Sequence, residues 1–427
     1  MLQATIHQRC RRKLAKRSTI KRPLRHTLAL QKGMERRMND RAVWSASMGA
    51  VTRVEASSWR VNATQEVSYE VRQVDGIFRP SSLHLLNCGR AASSGRQVIV
   101  IDARVEELYG DEMRAYYAHH GIEISVLSLS VLEESKHFEA ASAVSRHLES
   151  AGVLRRSEPI VAIGGGVLLD LAGFAAGLYR RGIPYVKVPT NAMALWDAAV
   201  GIKTGVNALG RRNRLGSYHA PSAALLDRRF LSTVEPRDLS SGMGELLKLG
   251  VIKNRRLFDL LEQHSEMLLQ TRFQDAIVAP EVIALAVEGM LEELAPNLWE
   301  LTLERAVDFG HSFSPMLEMK ALPELLHGEA VALDVLLSCR LARVRGLLSE
   351  LEVLRVRSVM KAMRLPVRHR FFADPQLLKE ALSDTMRHRD GRQRLPLPDG
   401  IGACCFVDDV SAGELSAAAM EMTDDEA

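Results

Sequence analysis

The stretch Glu158–Phe174, EPIVAIGGGVLLDLAGF, has the composition of a buried strand that runs through three glycines into a helix. The run from Ile160 to Ile163 is continuously apolar, as expected of a buried strand. Glycine lets a backbone approach a ligand closely, and the amides at a helix start can bind a pyrophosphate. A tight strand-to-helix turn explains the glycines equally well, because the spacing is not the GxGxxG fingerprint.

Similar apolar runs lie on both sides of this stretch. They are QVIVID (Gln97–Asp102), IPYVKVPT (Ile183–Thr190) and SAALLD (Ser222–Asp227). Helical patterns separate the runs, for example AASAVSRHLESAG after Glu139. Alternating strands and helices indicate a parallel α/β sheet. Asp102, at the end of its run, suits a contact to a ribose hydroxyl or is a solvated loop acid.

The pattern changes after about Pro236. Stretches such as GMGELLKLGVIKNRRLFDLLEQ and GEAVALDVLLSCRLARV carry the 3.6-residue period of amphipathic helices. We therefore predict a Rossmann-like α/β domain with a mostly parallel sheet over residues 56–236. A mainly α-helical domain should follow over residues 237–427.

The composition is that of a globular protein large enough for two domains. The chain has 427 residues, 47% of them hydrophobic and 25% charged. No apolar run approaches the ~20 residues of a membrane span. The five cysteines form no CxxC pair, which favours a reducing cytosol over a disulfide framework or a thiolate zinc site. We predict a cytoplasmic protein without a membrane partner.

The beginning of the chain is strongly basic. Residues 1–50 contain thirteen Lys and Arg but only two acids, Glu35 and Asp40. The segment has little apolar periodicity, so we predict a disordered arm over residues 1–55. Such an arm could contact nucleic acid or an anionic surface. We predict disorder and expect no nucleic-acid partner.

The turn-rich stretch from Asp197 to Pro221 concentrates polar groups beside the predicted strands. It contains Asp197, Lys203, Asn207, Arg212 and Asn213. Cations and amide side chains in a glycine-rich loop suit a phosphorylated, hydroxyl-rich ligand. A solvated basic loop is the alternative. The basic loop RHRDGRQRLPLPDGIG (Arg387–Gly402) also has two interpretations, a clamp for a substrate phosphate or a plain basic hairpin.

Three further side chains could bind a metal. Glu245 shares a helix face with Lys248 at spacing i, i+3, which is also the spacing of a surface ion pair. His311 lies in GHSF, and His327 begins the helical pattern HGEAVA. Two histidines and an upstream glutamate could form a catalytic zinc site with an open position. Structural histidines are the alternative.

Read in order, these stretches resemble the sugar phosphate cyclases, the superfamily of dehydroquinate synthase. The resemblance runs from about Val71 to Val410. Its motifs are GGGVLLD, YRRG, VPT, the D…KTGVN loop, NRLGSYHAP, GELLK, GHSF and HGEAVA, in the family's order. The resemblance implies a dehydroquinate synthase-like fold and a homodimeric, NAD- and metal-dependent lyase that acts on a sugar phosphate.

The resemblance also assigns site residues. The metal ligands, for Zn²⁺ or alternatively Co²⁺, are Glu245, His311 and His327. The NAD-binding residues are Asp102, Glu133, Lys136, Gly165, Gly166, Asp170, Thr190, Asn191, Arg212, Phe230 and Thr233. The catalytic and substrate-binding residues are Lys203, Lys248, Asp197, Asn213, Asp308 and Arg181, the last of which reaches the neighbouring subunit's site in the family.

Several positions depart from dehydroquinate synthase. Asp308 replaces an asparagine, and Pro315 replaces the second histidine of the family's HxxxH pattern. Met290 and Glu304 stand where the family has a lysine and an arginine that bind a substrate carboxylate. A carboxylate there would be unpaired and poorly solvated, so the substrate should lack one. Asn191 replaces a usual threonine, with an effect on the pocket that the sequence leaves open.

Within the superfamily, Pro315, PNLWE (Pro296–Glu300) and the Arg387–Gly402 loop resemble the branch of 2-epi-5-epi-valiolone synthases. That branch cyclises sedoheptulose 7-phosphate with release of phosphate, by transient NAD-dependent oxidation, elimination, re-reduction and aldol closure, for C7-cyclitol biosynthesis. Desmethyl-4-deoxygadusol and 2-epi-valiolone synthases are the near alternatives. A 3-dehydroquinate synthase and a metal-dependent polyol dehydrogenase are more distant ones.

Overall fold

A small antiparallel sheet stands at the N-terminal end of the part described by the computed structural model, which covers residues 41–46, 49–88 and 94–423. Its strands, in the order β1-β2-β3, are β1 (Arg41–Ala46), β2 (Gly49–Glu55) and β3 (Ser58–Ala63). The described residues up to Ser68 form one unit, and those from Tyr69 onward form another.

This sheet corrects part of the predicted disordered arm. Residues 1–40 lie outside the described residues, but residues 41–46 and 49–55 are strands. The physical reason is cross-strand pairing: Val51 lies opposite Val61, and β-branched residues favour strands. The basic composition that suggested disorder is concentrated before residue 41.

The main sheet has six strands, all parallel, as the apolar runs predict. The strands of this sheet are β4 (Glu70–Val74), β5 (Arg96–Asp102), β6 (Glu123–Leu129), β7 (Ile160–Gly164), β8 (Tyr185–Pro189) and β11 (Ala223–Asp227). Between β8 and β11 the chain forms a separate hairpin of β9 (Lys203–Ala208) and β10 (Arg211–Tyr218). The sheet order is β4-β11-β8-β7-β5-β6. The chain changes direction across the sheet between β5 and β7, and such a switch point opens a crevice at the carboxyl edge.

Helices cover this sheet. They are α1 (His84–Asn87), α2 (Ala103–His119), α3 (Phe138–Ser150) and α4 (Gly166–Leu178). Helix α4 starts directly after β7 and is buried over most of its length, as its nearly continuous apolar sequence requires. Strands β7, β8 and β11 have five residues each, and all of these residues are buried. The strand-glycine-helix prediction for Glu158–Phe174 therefore describes the centre of the fold.

The hairpin β9–β10 was predicted only as a turn-rich loop. Its two-residue turn is Leu209-Gly210, with φ of 54° and 69°. Positive φ at both central residues is what a type I′ turn requires. The polar, glycine-rich composition concealed the two strands, which carry three of the predicted site residues, Lys203, Arg212 and Asn213.

The second half is mainly helical, as predicted, and begins with a proline in its first turn at Pro236. Its elements are α5 (Pro236–Ile252), α6 (Arg255–Gln270), α7 (Val278–Leu294), α8 (Ser314–Ala321), α9 (His327–Val344), α10 (Glu350–Ala362), α11 (Pro375–His388), β12 (Leu395–Pro398), β13 (Cys404–Val407) and α12 (Ala412–Met420). Residues 69–427 form one unit, so the domain boundary at 236/237 stays a prediction.

Helices α5 and α9 meet backbone to backbone. A Cβ on Gly328 would lie 2.6 Å from the carbonyl carbon of Ser241, and closer still to its oxygen. A Cβ on Gly244 would lie 3.0 Å from the carbonyl carbon of Gly328. Only glycine permits this approach. It places the residues next to these glycines, Glu245 and His327, side by side.

In the described part of the chain, no helix combines the length and the apolar character needed to cross a membrane.

Candidate active site

Glu245, His311 and His327 converge at the contact between α5 and α9. One ligand atom from each lies within 4.8 Å of the others. Oε1 of Glu245 is 3.6 Å from Nε2 of His311 and 3.6 Å from Nε2 of His327. Two ligands at ~2.0–2.1 Å from a tetrahedral zinc lie about 3.4 Å apart. The spacing therefore fits a zinc-sized cation between the three side chains.

The environment of Glu245 also favours a cation. The residue is fully buried, and neither carboxylate oxygen has a hydrogen bond of good geometry, although Oε2 forms an ion pair with Lys248. Burial alone would raise the pKa of Glu245, but the Lys248 ammonium and the two histidines hold it well below its usual range. A buried carboxylate that stays ionised between two imidazoles is a suitable donor set for zinc.

The two histidines differ in their surroundings. Burial and the Lys248 charge lower the pKa of His311 to about 4. Burial would also lower that of His327, but the adjacent Glu245 and Glu318 carboxylates raise its pKa to about 10. Nδ1 of His311 faces the carbonyl oxygen of Phe309 at 3.3 Å, whereas Nδ1 of His327 donates to Oε2 of Glu318 at 2.8 Å.

The turn that carries His311 is anchored by Asp334 on α9. Oδ2 of Asp334 accepts hydrogen bonds from the backbone N–H groups of Phe313 (2.6 Å) and Ser314 (2.7 Å). Gly310 precedes the histidine with φ of 76°, and a Cβ there would lie 2.9 Å from Cγ1 of Val331. These contacts tie the His311 turn to the helix that carries His327.

The predicted NAD-binding residues cluster at the carboxyl edge of the main sheet. Gly165 and Gly166 follow β7, and Thr190 and Asn191 follow β8. Nδ2 of Asn191 occupies the space of a Cβ on Gly165, at 2.5 Å, and its Oδ1 accepts from the N–H of Ala194 at 2.9 Å. Asn191 therefore packs on the glycine turn and caps the next helical turn.

Three other predicted cofactor residues lie along the same edge. Asp102 ends β5 and caps α2 by accepting from the N–H of Arg104 at 2.9 Å. Phe230 is buried against Tyr109, with ring centroids 4.9 Å apart, and Oγ1 of Thr233 lies 3.0 Å from the Tyr109 hydroxyl. The capping role gives Asp102 a structural function that the sequence did not indicate.

Charged residues beyond β6 form a second part of this edge. Nζ of the buried Lys136 donates to Oδ2 of Asp170 and to Oδ1 of Asn213, at 2.6 Å each. The backbone N–H of Asn213 donates to Asn207 at 2.8 Å. The structure thus places Asn213, predicted for the substrate side, against a residue predicted for the cofactor side.

The predicted substrate side forms a separate chain of ion pairs. Nζ of the exposed Lys203 lies 3.0 Å from Oε1 of Glu300. Glu300 also pairs with Arg305, which binds Asp308 at 2.5 Å. The guanidinium of Arg389 also lies 3.9 Å from Oδ2 of Asp308. The chain links the hairpin β9–β10 to the turn before His311.

Asp197 and Lys248 lie near the metal-ligand cluster. Asp197 belongs to a π-helical turn, Ala194–Ala198. Burial raises the pKa of Asp197, as does the charge of nearby Glu245. Burial would lower the pKa of Lys248, but the Glu245 and Asp197 carboxylates raise it. Asp197, Lys248 and Glu245 therefore form one buried group of interacting charges.

Lys187, on β8, supports the turn that carries Asp197. Its Nζ is fully buried and donates to the carbonyl oxygens of Ala198 (2.9 Å) and Gly201 (2.8 Å). Burial lowers the pKa of Lys187 to about 8. This contact has no local signature, since the stretch VKVP indicates only a strand.

Other predicted residues stay apart from this cluster. Arg181 is exposed in a turn with φ of 62° and forms no ion pair with any residue of the described ranges. Pro315 is exposed in the first turn of α8, where a proline needs no donor. Met290 is buried on α7. The departures at these positions are thus compatible with the local structure.

Sequence reasoning missed Glu318, Asp334 and Arg305. Glu318 and Asp334 have partners distant in the chain, 106 and about 20 residues away, whereas Arg305 pairs with the nearby Glu300 and Asp308. No local motif separates them from ordinary helix or loop charges. The relevant signal would have been the position of Glu318, seven residues after His311 on the helix that follows it.

Comparisons with known proteins agree with this arrangement. Residues 126–241 match the family model for the N-terminal part of 3-dehydroquinate synthase, and residues 242–388 match that for its C-terminal part. A 2-epi-5-epi-valiolone synthase of an Actinomyces species is 51% identical over 371 residues, 85% of this chain and 97% of the relative. A demethyl-4-deoxygadusol synthase of Trichormus variabilis is 34% identical over 369 residues, 85% of this chain and 89% of the relative.

A solved structure extends the likeness to the fold. ValA, a 2-epi-5-epi-valiolone synthase from Streptomyces hygroscopicus subsp. jinggangensis with NAD⁺ and Zn²⁺ bound, superposes with a TM-score of 0.80 at 48% identity, over 86% of this chain and 99% of ValA. This chain belongs to the sugar phosphate cyclases, the family of 3-dehydroquinate synthase. Within that family, the relatives at about half identity carry the name 2-epi-5-epi-valiolone synthase.

Proposed function

We propose that this protein is a 2-epi-5-epi-valiolone synthase, which converts sedoheptulose 7-phosphate to the cyclitol with release of phosphate. The observation that carries the proposal is the buried Glu245 carboxylate facing two imidazoles at 3.6 Å, beside Lys248. The names of the relatives at 51% and 48% identity support the choice of product. Such an enzyme is a carbon–oxygen lyase.

The substrate is proposed to lack a carboxylate. Met290, buried on α7, offers no charge to one, and Glu304 would repel it. An unpaired carboxylate removed from water would cost several kcal/mol, roughly. Sedoheptulose 7-phosphate carries its charge on the phosphate alone, which agrees with these two residues.

Two bound groups complete the site. Glu245, His311 and His327 would hold zinc, with cobalt as the alternative, and the metal supplies Lewis acidity to substrate hydroxyls. The carboxyl-edge residues would hold NAD, which supplies transient oxidation and is regenerated in each cycle. ValA contains both NAD⁺ and Zn²⁺. The Asn191 amide fills the space beside Gly165, so any side chain at that position would clash with it.

The side chains of this protein position the substrate. Lys203, Asn213 and Arg181 are proposed to bind the phosphate through charge-assisted hydrogen bonds. Lys248 and Asp197, beside the ligand cluster, orient hydroxyls and transfer protons. Asp308 is held by Arg305 in the turn before His311, at the same face. Orientation in a site shielded from water would supply much of the rate of ring closure.

The proposed assembly is a homodimer. Arg181 is exposed and forms no ion pair within the described residues, so its charge is available to a neighbouring subunit's site. Mixed dimers of Arg181→Ala with a Lys203→Ala chain should regain activity, because one intact shared site forms. Absence of recovery would contradict the shared site. The cytosolic location also stays a prediction.

The test is phosphate release by purified protein with catalytic NAD⁺ and zinc. Sedoheptulose 7-phosphate should be compared with the carboxylated seven-carbon substrate of dehydroquinate synthase, and the product identified by mass and NMR. We expect turnover of the first alone, without net NADH. Turnover of the second would overturn the argument from Met290 and Glu304. Net NADH would indicate a dehydrogenase, and another product on NMR a different cyclase, such as a demethyl-4-deoxygadusol synthase.

A further inference from the structure

We propose that Glu318 is a positioning residue that orients His327 for metal binding, and that Arg212 fixes Glu318 in that role. The inference rests on the proposed metal site and concerns a residue outside its three ligands. Glu318 lies on α8 and is buried. Its Oε2 contacts His327, and its Oε1 contacts Arg212.

One oxygen determines which nitrogen of His327 faces the metal. Nδ1 of His327 lies 2.8 Å from Oε2 of Glu318. An ionised carboxylate only accepts hydrogen bonds, so Nδ1 carries the hydrogen. In the neutral ring, the lone pair is then on Nε2, the atom that faces Oε1 of Glu245 at 3.6 Å. A carboxylate behind a ligand histidine fixes its tautomer and increases its basicity.

The other oxygen fixes Glu318 itself. NH1 of Arg212 donates to Oε1 of Glu318 at 2.5 Å, and Nε of Arg212 donates to Oε1 of Glu133 at 3.0 Å. Glu133 also accepts from Nδ2 of Asn207 at 2.9 Å. Charge-assisted hydrogen bonds of this kind are short and directional. A continuous chain therefore runs from the loop after β6 through the hairpin β9–β10 to His327.

The two histidines are not equivalent in this respect. His311 has only a backbone carbonyl behind its Nδ1, at 3.3 Å, and its position is set by the turn anchored at Asp334. His327 has a carboxylate that is itself held by a guanidinium. Loss of Glu318 should therefore weaken the metal site through His327 alone, while leaving the His311 turn in place.

The experiment measures zinc affinity of the metal-free full-length protein by competition with a chromogenic chelator, without substrate. Glu318→Ala should weaken zinc binding about 10–100-fold, the usual effect of losing such a partner. Glu318→Gln should weaken it less, because the amide oxygen can still accept from Nδ1. Glu318→Gln also keeps the side-chain shape, so it tests the inference if the alanine variant does not fold.

The chain offers a matched control in Glu324. Its carboxylate pairs with Nε2 of His369 at 3.3 Å and with Arg370 at 2.7 Å, so it too is a glutamate behind a histidine, but that histidine is not one of the three ligands. Glu324→Gln should leave zinc affinity unchanged. His327→Ala should abolish zinc binding and so verify where the metal binds.

The outcomes separate this inference from the metal site itself. Wild-type affinity in both Glu318 variants, with binding lost in His327→Ala, overturns the inference and leaves the site standing. Equal zinc binding by wild type and His327→Ala overturns both. A lower melting temperature of the metal-free Glu318 variants with unchanged zinc affinity would assign Glu318 a structural role only, and so also overturns it.

Discussion

Replacing Gly328 by alanine should separate helices α5 and α9 and weaken the metal site. The new Cβ would lie 2.6 Å from the carbonyl carbon of Ser241, where ordinary carbon–carbon contact needs about 3.5 Å. The obstructing atoms are backbone, which no rotamer change can move. The helices must therefore part by about 1 Å at this point.

The displacement has a calculable effect on the ligands. Glu245 and His327 adjoin the contact, and their ligand atoms lie 3.6 Å apart. An added ~1 Å gives about 4.6 Å, more than the roughly 3.4 Å that a tetrahedral zinc spans. Overpacking costs about 1–3 kcal/mol, while alanine in a helix regains at most about 1 kcal/mol over glycine. We expect net destabilisation of up to about 2 kcal/mol and at least a roughly tenfold loss of zinc affinity.

The assay combines chelator competition with denaturant unfolding of the metal-free protein. Gly289→Ala is the matched control, since Gly289 is a buried glycine within α7 whose Cβ would meet only Cγ of Lys253, at an ordinary 3.6 Å. That variant should keep wild-type zinc affinity and gain up to about 1 kcal/mol of stability. Wild-type zinc affinity and stability in Gly328→Ala would refute the claim that the backbone contact sets the ligand spacing.

Three further perturbations test the surroundings of the site. Gly310→Ala should lower the free energy of unfolding by about 1–3 kcal/mol, because φ is 76° and the Cβ would lie 2.9 Å from Cγ1 of Val331; an unchanged unfolding curve would contradict this. Asp334→Ala should destabilise by a similar ~1–3 kcal/mol or more, since the buried N–H groups of Phe313 and Ser314 lose their acceptor; equal urea midpoints for variant and wild type would disprove the anchor. Lys187 has a folded-state pKa of about 8, below that of the unfolded chain, so the unfolded state binds more protons above pH 8. The stability of wild type relative to Lys187→Met should therefore rise between about pH 8 and 10.5, by at most about 3 kcal/mol, and a difference that stays constant with pH would exclude a buried titrating lysine.

The central strand, turn and helix of the fold can be predicted from the sequence, because the residues that specify them are close together in the chain. The run into Gly164–Gly166 specifies a buried strand, a close turn and a buried helix within seventeen residues, and each part formed as the pattern predicts. The hairpin at residues 203–218 was not recognised, since its strands are polar and its turn, Leu209-Gly210, lacks the usual asparagine or aspartate.

The residues of the site also differ in whether a local sequence motif predicts them. The ligand triad follows from recognisable motifs, and the structure brings its members together. Glu318 and Asp334 do not follow, since a glutamate or aspartate in a helix is ordinarily solvated and only the tertiary fold shows its partner. For Glu318 that partner, Arg212, comes from the other half of the chain. Residues that support ligands are therefore harder to predict than the ligands themselves.

The glycine contact between α5 and α9 also limits which positions can be substituted without a change in the metal site. Main-chain atoms limit how closely the helices that carry two of the ligands approach each other. Met290 and Pro315 stand outside this contact, so exchanges at these two positions do not act on it directly. The same three-ligand metal site can thus serve enzymes that differ in substrate, with changes in specificity arising at residues outside the helix contact.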